Sequence, residues 1–443
     1  MSVDFRQEFR LSLESTEACH PIDFWQKKAL KWALDQYDHV VLFNNNQRQL
    51  PGFQLPYSAF PNRLAAGLYQ RVDFPPETDP FDQLFHHHQQ QPDFLVGYFS
   101  YDLKNRIEAL RSRHPNWLEF PAIYFFQPLH ILDFEENSIL IRSWSDPQHV
   151  AQSILASSID PAELETPAVG NTLQAHVSPA EYRQIVQQIR EDIIDGTVYE
   201  LNYCLAFFAE AARLNPFAVY EALNRQSPMP FSHFQRIGNH YVLGASPERF
   251  LKKEGDRLIS QPIKGTIRRG ANPVEDEHLK RRLSSSEKEQ AENLMIVDLV
   301  RNDLARSAKT GTVRVDELFG VYAFRQLFQM ISTVSATIQD DLPFTDAIRN
   351  AFPMGSMTGA PKVRAMELID QYEASRRGLY SGAAGYITPD GDFDFNVMIR
   401  SIFYNQALGR VSFSVGSAIT YDADPEQEYE ECLLKARAMR SVF

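Results

Sequence analysis

Short apolar runs recur along this chain without a fixed period, and that irregularity constrains its fold more than any single residue does. Val40-Val41-Leu42-Phe43, followed by Asn44-Asn45-Asn46, reads as a strand and a turn. Phe94-Leu95-Val96-Gly97-Tyr98-Phe99-Ser100-Tyr101 and Ala122-Ile123-Tyr124-Phe125-Phe126 read as buried strands. Farther along, strands such as Tyr241-Val242-Leu243 and Val411-Ser412-Phe413-Ser414-Val415 alternate irregularly with helical stretches. With neither an internal repeat nor a regular βαβ rhythm, the expected class is α+β with large antiparallel sheets. The 443 residues, 31 of them phenylalanine, allow a large core in one composite domain or in roughly two to three smaller ones.

A boundary is legible where the sequence turns polar and Pro-dotted, at Asp160-Pro161, Thr166-Pro167 and Gly170-Asn171. The expected organisation is an N-terminal region over 1–156, a linker over 157–177 and a second region over 178–443. In Ser178-Pro179-Ala180-Glu181 the serine caps a helix, the proline takes its first position and the glutamate closes the first turn. Tyr182, Ile185, Ile189 and Ile193 supply its apolar stripe. His86-His87-His88 could suggest a metal site, but adjacent side chains point in different directions, so a polar surface is expected.

The formal net charge of −13, with no long Lys/Arg block, disfavours a nucleic-acid surface, because such binding rests on neutralising phosphates. No apolar run is long enough to cross a bilayer, so no membrane partner is expected. The start, Met1-Ser2-Val3-Asp4-Phe5-Arg6, lacks the basic and apolar stretches of a secretory signal. Cys19, Cys204 and Cys432 are too scattered for a disulfide framework or a zinc site. A soluble, cytoplasmic protein is expected.

Within Gln261-Pro262-Ile263-Lys264-Gly265-Thr266 a lysine sits in a Pro/Gly-bracketed turn. An amine fixed there can be a nucleophile if burial or neighbouring cations keep it partly unprotonated; alone, it is an ordinary surface lysine. Glu289 with Glu292, and Glu428 with Glu431, lie three residues apart, so on helices each pair aims two carboxylates at one point. Oxygen ligands from two helices suit Mg²⁺, although either pair by itself reads as an acidic first turn or a solvated face. Gly355-Ser356-Met357-Thr358-Gly359-Ala360-Pro361-Lys362 lacks the Walker spacing but could present backbone N–H groups at a helix start. Gly416-Ser417-Ala418-Ile419 could serve likewise, a plain turn being the simpler reading of both. Arg400, on the strand-like Asn396-Val397-Met398-Ile399-Arg400-Ser401, needs a carboxylate from the protein or from a ligand. These residues outline a cationic, Mg²⁺-assisted site for a small polycarboxylate. No cysteine stands in a Gly-flanked nucleophile turn, and no Gly-x-Gly-x-x-Gly follows a strand, so neither a glutaminase centre nor a dinucleotide site is expected.

The order of Ser246-Pro247-Glu248-Arg249-Phe250, Pro262 to Thr266, Ala291 to Leu304, Gly355 to Lys362, Tyr380-Ser381-Gly382, Ile399-Arg400 and Asp424-Pro425 with its glutamate run resembles the chorismate-utilising enzymes. The resemblance covers about residues 178 to 440. It is weaker at Gly97-Tyr98-Phe99-Ser100-Tyr101-Asp102-Leu103. It implies the anthranilate synthase component I-like fold, with antiparallel sheets packed face to face and helices outside. It further implies that Glu292 and Glu431 bind Mg²⁺, with Glu289 and Glu428 acting directly or through water. Tyr380, Arg400 and Lys435 would surround chorismate, Gly265 and Thr266 would line its ring, and Thr358, Gly359 and Gly416 would lie nearby. Glu248 would be the general acid.

Two positions in the resemblance select a branch. Lys264, where anthranilate synthases carry alanine, marks most aminodeoxychorismate synthases and would add to C2 before ammonia attacks C4. Glu200 stands where the water-adding branch places a lysine base. A glutamine amidotransferase subunit, or free ammonia, is implied as the nitrogen source. Gln329 replaces the histidine usual in the amino-transferring enzymes and cannot carry a proton at neutral pH. Anthranilate synthase component I and a non-catalytic chorismate-binding homologue are the alternatives.

Overall fold

The strands read from the sequence form, and every pairing among the described residues is antiparallel. The computed structural model describes residues 6–14, 20–50, 52–164, 168–169 and 173–443. Met1 to Phe5, Cys19, Thr166-Pro167 and Gly170-Asn171 lie outside the described residues.

Two sheets diverge from the long strand Ile123–Phe134, which pairs with Arg63–Arg71 along its later half and with Leu95–Phe99 at its start. The first sheet runs on through His39–Asn44, Phe231–Ile237, His240–Ser246, Ser401–Asn405 and Arg410–Ile419 to Glu200–Ala209. The second runs from Leu95–Phe99 through Ala383–Ile387, Phe393–Val397, Arg249–Glu254 and Arg257–Gln261 to Leu327–Thr337. Strands from before and after the 157–177 stretch are therefore joined edge to edge within each sheet, at His39–Asn44 with Phe231–Ile237 and at Leu95–Phe99 with Ala383–Ile387.

Alternation along the strands sets the layers. On His240–Ser246, Leu243 joins a core with Leu30, Val186 and Tyr220 from the helices Ile22–Gln36, Pro179–Ile194 and Pro216–Gln226. Its neighbour Val242 points the other way, into a core shared with Leu251 and Phe395 of the second sheet. The sheets thus pack face to face, and the first carries helices on its outer face. Strand His39–Asn44 is buried on both faces, with Val40 and Leu42 toward the helices and Val41 and Phe43 toward Phe60 and Phe231. The class is α+β.

The helix Pro179–Ile194 starts with a capping box in which the Ser178 side chain and Glu181 satisfy each other's backbone N–H. Its buried stripe is Tyr182, Val186 and Ile189, with Ile185 and Ile193 only partly covered. The histidine run corrects the expectation of a polar surface. His88 is buried, hydrogen-bonded at 2.8 Å to the Thr388 carbonyl and edge-on to Phe344, while His86 faces solvent.

Candidate active site

Strand Ile263–Arg268 does not pair evenly with Leu327–Thr337: the register slips between Ile263 and Thr266. Gly265 sits in this bulge with φ +98°, a left-handed conformation that favours glycine. A Cβ there would come within 3.0 Å of Glu289 Oε2 and 3.3 Å of Met330 Cβ. The bulge sends Lys264 into a cavity of about 910 Å³, which Glu248, Gly265, Thr266, Tyr380 and Arg400 also line. Its walls come from both sheets and, with the acidic side chains, from the helices Glu287–Ala305 and Pro425–Arg440.

Those helices bring the two acidic pairs together. Glu289, Glu292, Glu428 and Glu431 all face the cavity, the arrangement expected of residues three apart on helices. Burial and the charges of Glu292 and Glu431 hold the Glu289 carboxyl above its usual range. Burial and Glu431 push Glu428 up to about 7. Glu431 is itself pulled down, because Lys435 pairs with it one helical turn on. Lys435 also donates to the Gly416 carbonyl at 2.8 Å. The donor chemistry, carboxylate oxygen throughout, fits a hard cation such as Mg²⁺. Among the described residues, however, no three acidic, histidine or cysteine side chains are drawn close enough to form a closed metal cage.

Lys264 only half meets the requirement set for a nucleophile. Its side chain is 14% exposed and burial pushes its amine down, but Glu200, Glu292, Glu431 and Glu428 outweigh burial and raise it. Its neighbours are carboxylates rather than cations, with Glu292 Oε2 at 4.0 Å, so the amine of the free site is an ammonium. Glu248 is the opposite case. Burial lifts its carboxyl to about 7, against the opposing pull of the Ser356 hydroxyl, which donates to Oε1 at 2.6 Å, and of Lys264. A carboxyl that still holds its proton near neutrality is what a general acid needs.

Arg400 lies not within a strand but in the connection from Phe393–Val397 to Ser401–Asn405, at φ +52°. Burial pulls its guanidinium down, while Tyr380 and Glu431 act the other way. Among the described residues no carboxylate reaches it as an ion-pair partner, so its fork is left for a ligand. Tyr380 is 3% exposed, and burial raises its hydroxyl well above its usual range.

Several expected residues stand elsewhere. Thr358 is wholly buried behind the wall, its hydroxyl donating to Met354 and Gly355 carbonyls, and Ser356 and Met357 line the cavity instead. Gly359 is in the wall because a Cβ would fall 2.2 Å from the Glu200 carbonyl. The glycine segment opens no α-helix at the cavity: Gly355–Met357 is a single 3₁₀ turn, and the α-helix begins afterwards, at Lys362, whose amine is held by Asp303 at 2.6 Å. Gly416 does line the cavity, but from mid-strand rather than a helix start: it pairs with Cys204, and a Cβ there would meet Asn202 Oδ1 at 2.6 Å. Glu200 is buried outside the lining, with Oε2 lacking a partner, though its charge reaches Lys264. Gln329 does line the cavity, and its buried Oε1 is also unpartnered. The sequence reading missed Ser356, Asn202 and Lys288. Asn202 has no motif signal beyond its strand, whereas Lys288, one helical turn before Glu292 and 3.8 Å from it, could have been found by helical spacing.

A cavity lined by a guanidinium without an ion-pair partner among the described residues, and by carboxylates flanked by lysines, is suited to a small polyanion and a cation together. Comparison with known proteins gives the family: the model described as chorismate binding enzyme matches residues 33–441, and the chain belongs to that family. An aminodeoxychorismate synthase of Streptomyces griseus is 46% identical over 257 residues, which are 58% of this chain and 35% of that protein. The chain thus spans about a third of that relative's length. Aminodeoxychorismate synthase component 1 of Klebsiella aerogenes is 37% identical over 338 residues, 76% of this chain and 74% of the relative. The solved anthranilate synthase component I of Streptococcus pneumoniae TIGR4 superposes with a TM-score of 0.74 at 27% identity, covering 89% of this chain and 94% of the other.

Proposed function

We propose that the chain is the chorismate-converting component of an aminodeoxychorismate synthase, making 4-amino-4-deoxychorismate from chorismate and ammonia for para-aminobenzoate and folate synthesis in the cytoplasm. The observation that carries this reading is Lys264, whose amine enters the same cavity as the protonated Glu248. Arg400 and the Tyr380 hydroxyl bind the enolpyruvyl carboxylate, the fork supplying two parallel N–H donors. Glu292 and Glu431 hold Mg²⁺, with Glu289 and Glu428 assisting directly or through water. Bound there, the ion would grip the ring carboxylate and screen the surrounding acids from Lys264. The Lys264 ammonium first gives up its proton to water; Glu248 then gives its proton to the C4 hydroxyl, which leaves as water, as the neutral Lys264 amine bonds to C2 and the two ring double bonds shift. Ammonia bonds to C4, the C2–N bond breaks, and the lysine is released. A glutamine amidotransferase subunit supplies the ammonia.

Product analysis on chorismate, a magnesium salt and an ammonium salt tests the reading: 4-amino-4-deoxychorismate is expected. Fluorescent anthranilate formed without an added lyase would establish instead the anthranilate synthase reading, which the Streptococcus pneumoniae neighbour favours. Glu292→Gln and Glu431→Gln are each expected to raise the Mg²⁺ concentration for half-maximal rate by about 10- to 100-fold. Titration of the rate with Mg²⁺ checks this, and an unchanged midpoint removes the residue from the ion's site.

A further inference from the structure

The bulge that aims Lys264 also frees its backbone carbonyl from the strand ladder, because pairing to Leu327–Thr337 lapses between Ile263 and Thr266. That carbonyl is instead met by Asn293, whose Nδ2 donates to it at 3.3 Å. Asn293 is 1% exposed, and it follows Glu292 directly on the helix Glu287–Ala305. Its other amide atom is engaged too: Oδ1 accepts from the Ser332 hydroxyl at 2.6 Å. Ser332 is wholly buried, and its Oγ accepts the Phe319 N–H at 3.1 Å. Phe319 stands at φ +61° in a second register break, between Glu317 and Gly320, on the opposite flank of the same central strand. The two bulges therefore face each other across Leu327–Thr337. A single chain of hydrogen bonds, Phe319 N–H to Ser332 to Asn293 to the Lys264 carbonyl, spans them by way of the acidic helix.

We propose that Asn293, oriented by Ser332, is a positioning residue that fixes the Lys264 backbone against the helix carrying Glu289 and Glu292. The amide does this with two separate atoms, Nδ2 donating to the Lys264 carbonyl while Oδ1 accepts from Ser332. The Ser332 bond fixes which way the amide faces. The strut sets the distance between amine and carboxylates by tying both to one buried side chain, which leaves the loop no freedom to carry Lys264 away from substrate. The consequence for turnover rests on the activity proposed above; the restraint on Lys264 does not.

The experiment compares wild type, Asn293→Ala and the milder Ser332→Ala, with thermal unfolding scans as the control for folding. Each protein is pulse-labelled with an amine-acylating reagent and the label is located by mass spectrometry. Labelling of Lys264 is expected to rise several-fold in both variants, most in Asn293→Ala, while labelling of the distant Lys253 stays constant. With chorismate and ammonium, kcat is expected to fall about 10- to 100-fold with KM shifted less than about threefold, the mark of a displaced reacting group rather than lost binding. Lys264 labelling that stays at the wild-type level in both variants overturns the proposal, as does a rise shared equally by Lys253, which signals general loosening. If Lys264 labelling rises selectively but the wild-type product is anthranilate, the strut stands and the proposed activity falls.

Discussion

Replacing Lys264 with alanine is expected to abolish covalent trapping of chorismate and to slow formation of 4-amino-4-deoxychorismate by about 10³-fold. The amine is the group in this cavity placed to form a bond with carbon, and the Gly265 bulge gives it one direction to point. Alanine leaves the bulge, the Asn293 contact and the carboxylates in place, because all three depend on backbone or on other side chains. Substrate affinity should therefore change far less than rate. Intact-protein mass spectrometry after quenching reads the adduct directly. An adduct that persists in Lys264→Ala would remove the nucleophile assignment.

Glu248→Gln should cost about 10²- to 10⁴-fold in kcat, the usual contribution of a positioned general acid. It should also erase a limb of the pH profile. With its carboxyl at about 7, Glu248 is increasingly ionised as pH rises past neutrality, so the wild-type rate should fall there and the variant's should not. The same shift acts on stability. The folded state holds this proton more tightly than the unfolded chain, whose carboxyl keeps its ordinary 4.5, so stability declines as pH rises from that value through about 7. The cost well above pH 7 is on the order of 3 kcal/mol. Glutamine keeps the acceptor for the Ser356 hydroxyl without the buried charge. The variant should therefore melt higher than wild type at pH 8 and no higher at pH 4.5. Thermal scans at both values check it, and equal displacement at each would remove Glu248 as the source.

Much of this site was legible because its chemistry is carried by short local patterns. Pro262 and Gly265 bracket Lys264 in sequence, and three-residue spacing on helices places both glutamate pairs on the cavity. What escaped the reading depends on contacts between distant segments. Thr358 and Gly359 share a motif with Ser356, yet only the fold decides that Ser356 faces inward while a neighbouring backbone walls off Gly359. The apolar run around Arg400 resembles a strand, but the left-handed turn there is imposed by the strands on either side of it. The charge state of Lys264 was beyond local reasoning for the same reason. Glu200, Glu292 and the pair Glu428 and Glu431 come from three separate elements, and none is within twenty residues of it except by folding.

The seam between early and late strands in each sheet also governs how such a chain can be made. His39–Asn44 lies between Arg63–Arg71 and Phe231–Ile237, and Leu95–Phe99 rests against Ala383–Ile387. A nascent chain on the ribosome can form the first hairpins, but the open flank of Leu95–Phe99 waits until nearly all of the polypeptide has emerged. Pairings so far apart in sequence fold slowly, and during that wait a wholly buried strand stands uncovered with bare backbone N–H and C=O groups. Production of soluble protein should therefore depend on translation speed and chaperone supply more than on the melting temperature of the finished molecule.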